Sequence, residues 1–200
     1  AHAAMSLFKG FSDDKSLMDW LQKDIWPAEG KFVGPEFVID GTKLACAEMI
    51  RSGTTCYNDM YFAVGDAVET TIAIGIRATH GPGVFGFPTS WASGPEECLT
   101  KNRKFLEEHI GKHELVRYAM CPHAPYTVPE KYIIEAKAIC NELGVPMHIH
   151  VQETQGEMED SMNGVKSSSC HLSDAHCTPI ENMANHDLLR NTICAHCVHV

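Results

Sequence analysis

No run of apolar residues in this 200-residue chain is long enough to cross a bilayer as a helix, so a helical membrane protein is set aside. Positive charge is thin: 16 lysines and arginines stand against 26 aspartates and glutamates, a formal net charge of -10. No basic stripe or cluster is present to meet a phosphate backbone, which argues against a nucleic-acid partner. A Walker loop is absent, and with it the signature of the P-loop nucleotide-binding sheets. An evenly paired set of cysteines is missing as well: the 9 present are an odd number scattered through apolar contexts such as Leu44-Ala-Cys46 and Ala138-Ile-Cys140. That pattern predicts reduced, buried thiols in a cytoplasmic protein rather than a disulfide framework.

What is present centres on Met147-His-Ile-His-Val-Gln-Glu-Thr154. This β-branched run after Gly144-Val-Pro146 predicts a short strand. His148 and His150 are two residues apart and so share a face of it. Glu153 follows where the strand gives way to loop. Imidazoles on a rigid strand beside a carboxylate are what a metal-assisted hydrolase requires.

The rest of the chain alternates between the two regular periods. Ser12-Asp13-Asp14 is expected to cap a helix through Leu17, Trp20 and Leu21, with Pro27 ending it. A helix follows from about residue 35 to Ser52-Gly53, a strand at 54–61, a helix at about 65–75 and a strand at 77–80. A loop rich in glycine, proline and aromatics covers 81–94. Then come a helix at 96–113, a strand at 116–121, a helix at 129–143, the organising strand, a helix beginning at Glu157, a polar segment at 166–177, a helix at 179–189 and a buried final strand. Strands alternating with such helices predict βα units and a parallel sheet. Six strands are expected, ending near His2, Tyr61, Thr79, Cys121, His150 and His196. Their carboxyl ends lie on one side, where active sites of parallel α/β folds form. The fold class predicted is α/β, a barrel, with residues 1–200 as one domain.

The strand-end candidates are His2, His123, His150, Glu153 and His196. A catalytic zinc needs about three protein ligands and an open position. Any one histidine is more often a hydrogen-bonded structural group, and it is the combination that carries weight. Rival clusters are weaker. Cys194-x-x-Cys197 has zinc-ribbon spacing but lacks a second pair and falls in a strand, so it reads as structural. Cys170-His171 and His176-Cys177 read as a surface insertion. His80, His109, His113 and His186 are assigned ordinary, by default surface, positions.

Several stretches together carry a family resemblance: His-Ala-Ala-Met-Ser-Leu at 2–7, Trp-Pro-Ala-Glu at 26–29, Ser-Gly-Thr-Thr-Cys-Tyr-Asn-Asp-Met-Tyr at 52–61, Pro-His-Ala-Pro-Tyr-Thr at 122–127, His-Val-Gln-Glu-Thr at 150–154 and Ala-His-Cys-Val-His at 195–199. The chain resembles the amidohydrolase superfamily, and within it the 5′-methylthioadenosine/S-adenosylhomocysteine deaminases with their chlorohydrolase and aminohydrolase relatives. The resemblance implies a (β/α)8 barrel of which this chain holds about the first six strands. The remaining strands and the small β-sandwich domain would lie outside it. It implies one divalent metal, zinc or else iron, with His2 and His150 as ligands. A first histidine would precede Ala1, and a strand-eight aspartate would follow Val200. Glu153 matches the proton-shuttling glutamate and His196 the histidine beside the reacting water, both contacting substrate. Glu29 and His123 match substrate-contacting positions.

The function implied is hydrolytic deamination of the adenine ring of 5′-methylthioadenosine, S-adenosylhomocysteine or adenosine. Alternatives are a triazine chlorohydrolase or aminohydrolase or a guanine deaminase on the same scaffold, and a metal-binding barrel protein without catalysis. The expected partner is a small purine nucleoside thioether. Self-association is left open.

Overall fold

The computed structural model describes residues 1–164 and 176–199. The Cys170-His171 pair and most of the polar segment 166–177 lie outside them. The chain divides into two compact units, Ala1–Pro82 with Gly111–Arg117, and Gly83–Ile110 with Tyr118–Val200. Every strand pairing recorded in either unit is parallel. The fold is therefore mixed α/β. No helix among the described residues is long and apolar enough to cross a membrane.

In the first unit, strand β1 (Cys56–Tyr61) pairs with β2 (Arg77–Val84) from Cys56–Arg77 to Tyr61–Pro82. On the other side of β2, the Ala78 N–H donates to Leu115 O at 3.0 Å, just before β3 (Val116–Tyr118). Residues 1–2 run beside β1, where the Met60 N–H donates to Ala1 O at 3.0 Å. They form no regular strand. Instead a 3-10 helix, Ala3–Phe8, begins at once and turns small residues under the helices. The contact is tight enough to demand glycine: a Cβ on Gly41 would sit 2.3 Å from Ala4 O. Gly41 belongs to α3 (Pro35–Arg51), which packs on α4 (Val64–Ile74). One apolar cluster gathers Ala3, Ala45, Cys46, Tyr57, Ile76 and Ala78, and another Ala4, Val38, Tyr61 and Ala67.

Three local expectations change in this unit. Ser16, not Ser12, caps α1 (Leu17–Trp20). Pro27 does not end the helical run, because a π-helical turn at Leu21–Ile25 sends the Trp26 N–H back to Leu21 O before α2 (Trp26–Phe32) begins. Proline close to the start of a helix lacks only an N–H that would have no partner there. Strand β2 also continues to Val84, past Thr79. Gly83 serves space rather than a turn, since a Cβ there would meet the Phe85 ring at 2.5 Å. Gly81, Gly83 and Gly86 satisfy the Gly-x-Gly-x-x-Gly spacing, yet they occupy a strand end and a loop with no helix opening there. The spacing thus lacks its phosphate-binding context.

In the second unit the end of β2 pairs with β4 (Cys121–Pro122) through Gly83–Cys121 and Val84–Pro122. Helices α5 (Pro95–His109) and α6 (Glu130–Leu143) pack together. Met120 bridges to Met147, and β5 (Met147–Val151) pairs with β6 (Thr192–His196). The strand expected over 116–121 is interrupted at Ala119–Met120, where the Met120 N–H turns to Pro146 O at 3.1 Å. All five residues of β5 are buried, as in a parallel strand covered on both faces. Strand β6 is half exposed rather than buried. The described cysteines are free thiols, Cys46, Cys98, Cys121 and Cys140 being buried.

His80 is 1 % exposed, which overturns its surface assignment. A β-strand pattern hides this, because His80 alternates correctly but points inward. Its Nε2 lies 2.9 Å from Thr71 Oγ1 and 3.3 Å from the Tyr57 hydroxyl, and its Nδ1 is 3.7 Å from Asp59 Oδ2. Burial lowers the His80 pKa to about 4 from 6.5 and raises that of Asp59 to about 6 from 3.8, the latter opposed by the Ala3 N–H. A histidine depressed on folding contributes stability that is present above pH 6.5 and lost as pH falls towards 4. The buried Asp59 acts in the opposite direction over a similar range. In the complete protein, His80→Gln should therefore destabilise more near pH 7.5 than near pH 5, the gap narrowing by at most about 2 kcal/mol. Urea denaturation of both proteins at the two pH values checks this; a gap that stays constant contradicts it.

Candidate functional site

The carboxyl end of β5 is where the second unit concentrates its chemistry. After Val151 the chain leaves the sheet through Gln152, whose φ of 52° is left-handed. It then enters α7 (Gln155–Met162), capped by the Thr154 hydroxyl, which accepts from the Glu157 N–H at 3.2 Å. Glu157 folds back beneath this turn. Its two carboxylate oxygens accept the Gln152 N–H at 3.0 Å and the Glu153 N–H at 2.8 Å. Burial pushes Glu157 up to about 7, and the two N–H donors work against that shift. The turn presents Glu153, whose Oε2 accepts the Tyr126 hydroxyl at 2.7 Å and whose Oε1 lies 3.3 Å from His196 Nε2. Burial, reinforced by Glu153, raises the Tyr126 pKa, so the phenol keeps its proton and stays a donor.

Three imidazoles surround this carboxylate's neighbourhood. The ring of His150 has its centroid 5.1 Å from that of His123 and 5.0 Å from that of His196. His148, also buried, has its ring 6.0 Å from His150 and its Nδ1 3.7 Å from Cys121 Sγ. His123 is fixed by backbone on both sides: its N–H donates to Val84 O, and its carbonyl accepts the His150 N–H, each at 3.0 Å. Its Nδ1 meets Thr127 Oγ1 at 2.8 Å. His196 reaches the group because β6 curls at its end. His196 and Cys197 adopt left-handed φ of 75° and 50°, conformations that cost non-glycine residues of order 1–3 kcal/mol. The Cys197 and Val198 N–H groups hold the curl by donating to Val151 O and Gln152 O at 3.1 and 3.0 Å. Phe85 packs its ring 5.4 Å from that of His123, and Phe87 lies 5.6 Å from Phe85.

The first unit carries the other two candidates. His2 contacts Met60 O through Nδ1, and its ring lies 5.9 Å from Tyr61. Glu29 lies within helix α2, not on a loop after it. It is no solvated acid: Tyr61 donates to its Oε1 at 2.8 Å, and burial raises its pKa to about 6, the hydrogen bond opposing.

The second unit thus gathers His123, His150, Glu153 and His196, while the first links Glu29 to Tyr61 with His2 alongside. The sequence reading missed Tyr126, Glu157 and Tyr61, which orient the candidates without being candidates themselves. Thr154-x-x-Glu157 had capping-box spacing and could have drawn attention to Glu157. For a divalent metal the donor chemistry fits. One ring nitrogen each of His123 and His150 lie within 4.8 Å of one another. Imidazole nitrogens with a neighbouring carboxylate suit zinc or iron.

Comparison with known proteins agrees with that chemistry. A family model described as "Amidohydrolase family" matches residues 1–200. A 5-methylthioadenosine/S-adenosylhomocysteine deaminase of Aquifex aeolicus is 43 % identical over 198 residues, covering 98 % of this chain and 44 % of that protein. One of the same name from Saccharophagus degradans is 46 % identical over 161 residues, covering 80 % of this chain and 36 % of the other. Among solved structures, an adenosine deaminase from Xanthomonas campestris with bound zinc superposes with a TM-score of 0.85 at 36 % identity, over 96 % of this chain and 42 % of that one. The chain spans less than half the length of these relatives.

Proposed function

This chain belongs to the amidohydrolase family, and from that premise we propose that it supplies the first part of a (β/α)8 barrel in a metal-dependent deaminase of adenine nucleosides. The observation that carries the reading is the carboxylate of Glu153 held between the Tyr126 hydroxyl and His196 Nε2, next to His150. A binding protein has no need of a carboxylate braced for proton transfer. The homologues named methylthioadenosine/S-adenosylhomocysteine deaminase, and the relatives named 5′-deoxyadenosine deaminase, support the choice of substrate class.

In this reading His2 and His150 are metal ligands, and a divalent metal, when bound, makes a water acidic enough to act as nucleophile near neutral pH. The chain's own residues do the rest. As a C–O bond forms at C6 of the purine, Glu153 takes the proton released by the water and delivers it to N1, so the ring does not build up negative charge. His196 donates a hydrogen bond to the attacking oxygen and orients it. The hydroxyl now on C6 yields its remaining proton to the again-ionised Glu153, which passes it to the departing amine. The C6–N bond then breaks to release ammonia, and C6 keeps the oxygen as a carbonyl. One carboxylate can accept and return a proton within a turnover. His123, flanked by Phe85 and Tyr126, lines the base-binding side.

Glu29 is the proposed ribose contact. Tyr61 occupies Oε1, and Oε2 is the oxygen offered to a substrate hydroxyl. A sugar diol meets such an acceptor, whereas a triazine or free base has none to give. The aromatic residues of the 85–91 loop suit a thioether substituent.

The division of roles is testable in the complete protein. Glu153→Gln should retain metal but lose roughly 10²–10⁴ in kcat, the usual range for a positioned acid/base group. His150→Ala should lose the metal itself. Metal content by elemental analysis alongside ammonia release separates the two; equal loss of metal from both variants contradicts the assignment.

A further inference from the structure

Glu157 is nearly fully buried at 2 % exposure, and among the described residues its carboxylate makes no ion pair with a lysine or arginine. A buried carboxylate is expensive unless its oxygens are engaged. Here the engagement is specific: one oxygen takes the Gln152 N–H and the other the Glu153 N–H, two successive donors of a left-handed turn. Those donors are at the point where the ladder of β5 has ended and α7 has not begun. An ordinary cap would need only the first-turn amides of its own helix, and Thr154 already serves there.

We propose that Glu157 is a positioning residue for Glu153, fixing the backbone from which the shuttle carboxylate reaches Tyr126 and His196. The proposal rests on the reading of Glu153 as the proton carrier. Three contacts then define the shuttle: Glu157 holds its main chain, Tyr126 holds Oε2, and His196 faces Oε1. Gln152 braces the same turn from the opposite direction, its side-chain Oε1 accepting the Ile180 N–H at 3.0 Å. Glu157 itself touches neither substrate nor metal in this arrangement. Its influence is on placement, and a displacement of about 1 Å at a reacting group can lower a rate about a hundredfold.

Glu157→Gln is the decisive variant, because an amide offers one acceptor and turns an N–H donor towards the second backbone N–H. In the complete, metal-loaded protein, kcat should fall about tenfold to a hundredfold with KM within about threefold and metal content unchanged. The pH dependence of kcat should shift as Glu153 loses its fixed surroundings. Glu157→Asp, which keeps the charge on a shorter arm, should recover part of the rate. Ser161→Ala removes a structural hydrogen bond from the same helix to Cys177 O at 2.8 Å, and should lower thermal stability while leaving kcat and its pH profile in place. Amide hydrogen exchange gives a readout independent of activity: Gln152 and Glu153 should exchange at least about tenfold faster in Glu157→Gln, with His148 and His150 unchanged. Unaltered exchange at 152 and 153, or faster exchange with wild-type kcat and pH profile, overturns the proposal. So does a loss of kcat in Ser161→Ala equal to that in Glu157→Gln. Wild-type protein that releases no ammonia overturns the deaminase reading instead, and the exchange rates alone then decide the clamp.

Discussion

A parallel strand must end somewhere, and the backbone amides just past its end need acceptors that the sheet no longer provides. At β5 that requirement is met by Glu157, and much of the second unit's chemistry depends on the result. Because the carboxylate satisfies Gln152 and Glu153 together, the chain can turn through a left-handed residue at Gln152 and still start a helix at Gln155. The same turn supplies Gln152 O to the Val198 N–H, which helps bend the end of β6 towards it. Main-chain bonds thus help to gather His150, Glu153 and His196, and the Tyr126–Glu153 and Glu153–His196 contacts complete the arrangement. Side chains placed this way are free to be chosen for reactivity.

The surroundings sort the ionisable groups by task. Burial keeps the Tyr126 phenol protonated beside Glu153, so it donates steadily to the carboxylate. In the first unit burial lifts Glu29 to about 6, and Tyr61 steadies it with a hydrogen bond. His80 is held neutral in the core by the same desolvation. It braces Thr71 and Tyr57 instead of joining the candidate residues. Identical side-chain types thus serve structure or chemistry according to what surrounds them.

The alternation of βα units was legible because glycine and proline punctuate this chain and the helices carry a clear period. His150, Glu153 and His196 were legible because strand ends in a parallel sheet share a side. Ranges and faces were harder. Strand β2 ran past Thr79 because glycines and a proline can be extended as well as turned, and composition does not separate the two. Pro27 continued a helical run because a π turn had already rearranged the hydrogen bonds ahead of it. Glu157 and Tyr126 escaped notice for a different reason. Tyr126 meets Glu153 across 27 positions, and Glu157 acts on backbone atoms that no side-chain pattern reveals. Periodicity reports which face a residue takes, not what waits there, and His80 was misjudged on that account.

The central claim is that these residues serve the deamination of an adenine nucleoside with the help of a metal. The direct measurement is product analysis with the complete protein, loaded with zinc, given methylthioadenosine and, separately, free adenine. The account predicts one ammonia and one 6-oxopurine nucleoside per substrate consumed, loss of turnover on chelation with recovery on adding zinc back, and little turnover of the free base. Metal-loaded protein that leaves methylthioadenosine intact, or that deaminates adenine equally well, would contradict it.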